Sequence, residues 1–430
     1  MHLHVDKPDT MQIEQVQITA NELEPDRVYT MNMILKHNYG THSATATFRS
    51  NSKGYIDLTT DAPIRGTYSG VEPMGLFMSQ RPHEDFAFGG YLRCTPPLPF
   101  YYDLILYDEK ESVVDQITIK KHWMHPKLER TEIAHDGFYG TLFKPPGKGP
   151  FPTILDMSGT GGGIHEHKGS MLASEGFVVL CVAFFQFKDL VSKLEDVDID
   201  YFKKPVDFLL NLPYTEKRFG IQGVSFGGTL VDLICTRYPE FKAAVVINGP
   251  HVQNHYCNLK EHGQPMPAVF VDDTKCYFLN GLMNTHITLK TSTPLLNAEN
   301  ETQWHRIPRD CKFRLVGSMD DLCSPSVHTT YYRKRRLEET GHDVEVELVG
   351  GGHIMEPPYF PHHEHVYAKF QAFYCAYGGE VVLHGKSQER TWANTIKFFV
   401  KTLGAPRKMP DWDRQTHVVN PRLAENRSHL

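Results

Sequence analysis

The sequence predicts an α/β protein, a mostly parallel, doubly wound sheet preceded by a small antiparallel β-sandwich. Three observations predict it. Up to about Lys121, apolar residues recur with a period of two between Asp-, Asn-, Pro- and Gly-rich breaks. Beyond Lys121, near-continuous apolar runs alternate with amphipathic segments. At one of these junctions stands the pentapeptide Gly223-Val224-Ser225-Phe226-Gly227. For 430 residues about two domains are expected. The patterns place the sandwich at 1–121, the α/β domain at 122–416 and a polar tail at 417–430.

In the first part, period-two runs fall at 11–18, 28–35, 45–50, 101–108 and 113–119, and none has helical periodicity. Short alternating strands with polar separators make an antiparallel sandwich. No chemistry stands out there. In the second part, strands are expected at 138–143, 152–157, 177–183, 217–222, 243–248, 313–317 and 344–349. Runs that are apolar on both faces suit strands covered by helices on either side. Helices are expected at 167–175, 201–210, 229–236, 327–340 and 389–402. The segment 252–310 lacks this rhythm and reads as an insertion over the sheet that forms part of a substrate pocket.

Composition narrows the class. Hydrophobic residues at 40% and charged residues at 22% describe an ordinary globular chain. A net charge of −6 argues against a nucleic-acid partner. There is no apolar run long enough to span a membrane, and the first residues lack a signal-peptide pattern. The eight cysteines form no CxxC pair and several sit in apolar stretches, as expected of free thiols in a reducing compartment.

A Gly-x-Ser-x-Gly between an apolar strand and a helix is the nucleophile elbow of an α/β-hydrolase. The tight turn lifts the Ser225 hydroxyl off the sheet edge, and any β-carbon at the flanking glycines would collide with neighbouring backbone. A serine hydroxyl needs a base to take its proton and a carboxylate to orient that base, in chain order Ser, Asp or Glu, His. Asp320 follows the strand at 313–317 and is the candidate carboxylate; the neighbouring Asp321 competes, with capping of the helix after Pro325 as its other role. His353, after the last strand and behind Gly350-Gly351-Gly352, is the candidate base. Oxyanion donors are expected from the Phe226 N–H and from Gly161 in the loop Ser158-Gly159-Thr160-Gly161-Gly162-Gly163. That loop does not have the G-x-G-x-x-G spacing of a dinucleotide cradle, so no cofactor is expected. His362-His363-Glu364-His365 and His165-Glu166-His167 lack the helical spacing of a zinc site and read as non-metal.

Several stretches together resemble the type-I acyl-CoA thioesterase / bile acid-CoA:amino acid N-acyltransferase family. They are Gly66-Thr67-Tyr68-Ser69-Gly70-Val71-Glu72-Pro73-Met74-Gly75-Leu76-Phe77, His135-Asp136-Gly137-Phe138-Tyr139-Gly140-Thr141-Leu142-Phe143-Lys144-Pro145-Pro146-Gly147, Gly149-Pro150-Phe151-Pro152, the elbow itself, and Gly352-His353-Ile354-Met355-Glu356-Pro357-Pro358-Tyr359-Phe360-Pro361. The resemblance covers nearly the whole chain. It implies Ser225 as nucleophile, Asp320 as orienter, His353 as base and an acyl-CoA as substrate. In that family thioesterases carry serine at the elbow and transferases to glycine or taurine carry cysteine, so it implies hydrolysis first and amino-acid N-acylation as the alternative. Arg333-Lys334-Arg335-Arg336 reads first as a solvated helix face and second as a site for CoA phosphates. The last residues, Ser428-His429-Leu430, have the shape of the Ser-Lys-Leu signal read by a peroxisomal import receptor, with a plain tail and a cytoplasmic location as the alternative.

Overall fold

A computed structural model of the chain describes residues 2–369 and 372–422. Its centre is an eight-stranded sheet: β1 (Glu129–His135), β2 (Phe138–Lys144), β3 (Phe151–Met157), β4 (Val178–Ala183), β5 (Thr215–Val224), β6 (Phe241–Ile247), β7 (Lys312–Ser318) and β8 (Val344–Val349). They lie in the order β1-β2-β4-β3-β5-β6-β7-β8, with β1 and β2 antiparallel and the pairs from β4 to β8 parallel. This is the α/β-hydrolase arrangement. Four of the five crossovers carry helices, α1 (His167–Ser174), α2 (Lys203–Asn211), α3 (Phe226–Cys235) and α4 (Ser326–Glu339); the insertion joins β6 to β7, and α5 (Val381–Leu403) follows the last strand.

Alternate strand residues bury against opposite layers, as the pleat requires. Ile154, Val179, Cys181 and Val245 face one core, and Leu155, Val178, Leu180 and Val246 face the other. The seven expected strands are present with small changes of boundary. The eighth, β1, is an edge strand whose residues are all exposed or half-buried, so it carries no apolar pattern to find. Helix α5 begins eight residues before its expected start because Glu380 caps it, accepting from the N–H groups of Val382 and Leu383.

The N-terminal part is built of two sheets. The larger joins Asp9–Met11, Val113–His122, Phe100–Tyr107, Val28–His37, Gly40–Arg49 and Arg65–Gly66, with Arg81–Pro82 also on Gly40–Arg49. The smaller joins Leu3–Val5, Ile18–Ala20 and Ile56–Asp57. The run at 11–18 is not one strand: it turns after Met11 and passes between the sheets. Gln12 pins this turn, its buried amide donating to the Tyr359 carbonyl at 2.9 Å. The N-terminal core and one face of the central sheet form a single apolar cluster, running from Leu3 through Phe77 and Trp123 to Phe360 and Phe399.

The insertion has structure of its own. Tyr277–Leu279 and Leu282–Asn284 form a hairpin that joins Phe373–Ala376 and His365–Ala368 in a four-stranded sheet. Ser428-His429-Leu430 lie outside the described residues.

Candidate active site

Ser225 stands between β5 and α3 with φ 58 and ψ −131, a conformation costly for a residue with a β-carbon. Two close approaches hold it. A β-carbon on Gly223 would lie 2.1 Å from the Gly227 carbonyl oxygen, and one on Gly227 would lie 2.7 Å from that of Ser158. The Ser225 N–H donates to the Ile247 carbonyl at the end of β6, 3.0 Å away. Helix α3 begins directly after the serine, three residues before its expected start, so Phe226 presents an N–H with no partner inside the helix.

The structure brings Ser225 and His353 together, with Oγ 2.8 Å from Nε2. It does not bring Asp320 to them. The His353 Nδ1 is 2.8 Å from an Asp321 carboxylate oxygen, and both side chains are buried. Asp320 is exposed and accepts instead from the Gly379 N–H at 2.9 Å. The reason is local: β7 continues to Ser318, one residue beyond the expected end, and the turn that follows carries Asp321 inward. Asp321 also shapes that turn. One oxygen accepts from the N–H groups of Cys323 (2.9 Å) and Ser324 (2.8 Å), and the other from the Ser326 hydroxyl. Burial disfavours a charge on His353, but the Asp321 carboxylate outweighs it and raises the imidazole well above the usual histidine range.

Asn248, expected only as a strand end, is a further positioning residue. It sits just beyond β6 at φ 51, and its side chain donates to the His353 carbonyl (2.7 Å) and the Ser318 hydroxyl (2.9 Å) and accepts from the Ser318 N–H (2.8 Å). It thereby ties the end of β7 to the histidine loop. A polar residue closing an apolar strand was the only sequence signal for it.

The glycine loop after β3 does approach the serine, at Gly159. A β-carbon on Gly159 would lie 3.1 Å from the Ser225 Cβ and 3.5 Å from its Oγ. A β-carbon on Gly161 would meet the His165 ring at 3.5 Å, and the Gly161 carbonyl accepts from Arg93 at 3.2 Å.

Ser225 opens into a cavity of about 430 Å³. The insertion at 252–310 contributes no lining residue, contrary to expectation; the N-terminal part contributes Tyr39 and the stretch from Ala87 to Tyr91, with Arg93. Nothing in the composition of that stretch signalled a site, because it reaches the serine only through the packing of the two parts. On another wall, Glu356 receives hydrogen bonds from Tyr91 and His167 and an ion pair from Lys168 at 3.3 Å. Burial opposes its charge, but His167 and Lys168 prevail and hold the carboxyl well below its usual range.

The remaining candidates are occupied structurally. Arg333 is buried, paired with Asp232 of α3 at 2.7 Å, and donates to the Gly249 carbonyl. Lys334, Arg335 and Arg336 pair with Glu338, Glu339 and Glu301, so each of these cations already has a carboxylate. His362 lies 3.0 Å from the Gly379 carbonyl and Glu166 binds Arg130. Among the described residues no group of three His, Cys, Asp or Glu side chains could hold a metal ion. All eight cysteines are free thiols, six of them buried. No helix among the described residues is long and apolar enough to cross a membrane.

Residues 197–405 match the family described as BAAT / Acyl-CoA thioester hydrolase C terminal, and residues 13–135 match Acyl-CoA thioester hydrolase/BAAT N-terminal region. The chain is similar to the peroxisomal succinyl-coenzyme A thioesterase of Mus musculus, 29% identical over 91% of this chain and 94% of the relative. It is similar to bile acid-CoA:amino acid N-acyltransferase of the same organism, 29% identical over 94% and 96%. Acyl-coenzyme A amino acid N-acyltransferase 1 of Mus musculus is 30% identical over 91% of this chain and 95% of its own.

Proposed function

Because the chain belongs to the acyl-CoA thioester hydrolase / bile acid-CoA:amino acid N-acyltransferase family, we propose that it hydrolyses fatty acyl-CoA to a free fatty acid and CoA. Ser225 is the nucleophile, His353 the base and then the acid, and Asp321 the group that orients the imidazole. The observation that carries this is the unbroken line of two 2.8 Å contacts from Ser225 through His353 to Asp321. His353 takes the Oγ proton as the oxygen attacks the thioester carbonyl, and the N–H of Phe226 faces the developing oxyanion. Collapse breaks the C–S bond, and His353 protonates the departing CoA thiolate. Water then attacks the acyl-serine, giving its proton to His353, which returns one to Oγ.

The choice between water and an amine as acceptor rests on the nucleophile. An acyl-serine ester is hydrolysed readily by activated water, whereas an acyl-cysteine thioester is comparatively open to amine capture. Ser225 thus favours hydrolysis, although the relatives include enzymes named for N-acyl transfer. Incubation of the protein with an acyl-CoA and taurine or glycine tests this. Free acid and CoA are the expected products, with amide a minor one; dominant amide overturns the reading, and thioester cleavage by Ser225→Ala at the wild-type rate overturns the mechanism. We also place the protein in the peroxisome, on the tripeptide Ser428-His429-Leu430 and the name of one relative. Import of a fluorescent fusion is expected to be lost when those residues are removed.

A further inference from the structure

Two kinds of group line the cavity around Ser225. Tyr39, Phe88, Tyr367 and Tyr374 contribute rings, whereas Arg93, His165 and Lys168 supply charge-bearing groups. These three are not equivalent. Lys168 is paired with Glu356. His165 is kept neutral, because burial first and then the charges of Lys168 and Arg93 push it down to about 3. Arg93 alone of the three is a charge without an answer. Among the described residues it has no carboxylate within ion-pair distance, and its one hydrogen bond runs from Nη2 to the Gly161 carbonyl at 3.2 Å. A further cation, Lys369, lies at the cavity but is exposed, where water satisfies it.

A guanidinium has five donors in a fixed fork suited to a carboxylate. Four of them are unspent here on a half-buried side chain tied to the glycine loop. Nη2 is bound to the loop, and Nη1 lies 3.2 Å from where a β-carbon on Gly163 would stand. The loop also sets the distance to the chemistry. Gly161 is two residues from Gly159, the residue packed on Ser225, and two residues span about 7 Å at most. A group bound by Arg93 is therefore on the order of 10 Å from the reacting carbonyl, within reach of the far end of an acyl chain. The cavity has the size of a small-ligand pocket, room for an acyl group while the nucleotide end of CoA stays outside.

We infer that Arg93 is a specificity-determining residue that binds a carboxylate carried on the acyl group, so that CoA esters of dicarboxylic acids are preferred over chain-matched monocarboxylic esters. The inference rests on the thioester reading above and adds the class of acyl group. The same acid chemistry could come from the CoA phosphates or from an amino-acid acceptor, and the test separates these sources.

The measurement is kcat/KM for adipyl-, suberyl- and sebacyl-CoA against hexanoyl-, octanoyl- and decanoyl-CoA, in wild type, Arg93→Gln and Arg93→Lys. The dicarboxylyl to monocarboxylyl ratio is expected to exceed one in wild type and to fall by about tenfold or more in Arg93→Gln. The fall should reside mainly in KM, with part of the ratio recovered in Arg93→Lys, which keeps the charge without the fork. Using a ratio removes any uniform loss from a disturbed loop. An unchanged ratio overturns the inference. An equal loss on both ester classes overturns it in favour of a contact to CoA. A change confined to the KM of glycine or taurine overturns it in favour of the acceptor. A wild type that cleaves no CoA ester overturns the thioester reading and this inference with it, whereas cleavage with no dependence on Arg93 overturns only the inference.

Discussion

At the scale of single residues, two adjacent carboxylates separate cleanly in geometry and should separate in activity. Asp321→Asn leaves the imidazole without an acceptor for its Nδ1–H and is expected to lower kcat by about 10³–10⁴-fold. Asp320→Asn, which changes only an exposed contact to Gly379, is expected to stay within about threefold. The raised pKa of His353 fixes the sign of the pH profile. A base must be neutral to accept the serine proton, so kcat/KM should fall as pH drops through a value above the ordinary histidine range. In Asp321→Asn that limb should move to lower pH; a limb at the same position in both proteins would sink the assignment. The loop glycines make a second pair. Gly159→Ala places a methyl 3.5 Å from the Ser225 Oγ and should lower kcat by about tenfold or more, whereas Gly161→Ala meets only the His165 ring and should cost less. The elbow and the histidine were legible in the sequence because glycines mark where backbones touch. The choice of Asp321 over Asp320 was not, since it turns on a single residue of strand length, which no periodicity resolves.

At the scale of elements, the elbow helix α3 is held to α4 by the buried Arg333–Asp232 pair. Burial raises the Asp232 carboxyl to about 6 even with Arg333 beside it. Arg333→Met leaves that carboxylate buried and unpaired and strips the donor from the Gly249 carbonyl. A loss of about 3–5 kcal/mol in urea unfolding is expected, and Asp232→Asn in the same chain should recover part of it. The basic run illustrates what sequence reading misses here. Four consecutive cations suggest a solvated face or a phosphate site, but a helix turns each through about 100°, and one of them faces the core. The inner strands of the central sheet were legible because burial on both faces writes an unbroken apolar run. The edge strand β1 was not, because its exposure erases that signal.

At the scale of the whole molecule, the two parts share one apolar core, and several histidines elsewhere in the fold are buried or half-buried. Burial first lowers His37 and His42 to about 4, and His165 and His363 to about 3, with Arg422 adding to it at His37, Lys168 and Arg93 at His165, and neighbouring histidines at His42 and His363. In the unfolded chain such groups titrate near 6.5. The stability they give is complete above 6.5 and is lost as pH falls from there towards 4 for His37 and His42 and towards 3 for His165 and His363, because the unfolded chain binds the extra protons in that range. The melting temperature is expected to drop by about 5 °C or more between about pH 7 and pH 5, in thermal unfolding followed by circular dichroism. A flat profile would show these rings to be solvated.

The stretch from Ala87 to Arg93 faces a serine more than a hundred positions later in the chain. On the reading proposed above, part of the wall that meets the substrate is therefore written far from the residues that cut it. Mutations that redraw the wall leave Ser225, His353 and Asp321 untouched, and an inherited change of diet need not put the reaction at risk. A fold arranged this way can diversify by trial in one region while the other stays fixed, and descendants that differ in what they accept would still share one way of breaking the bond.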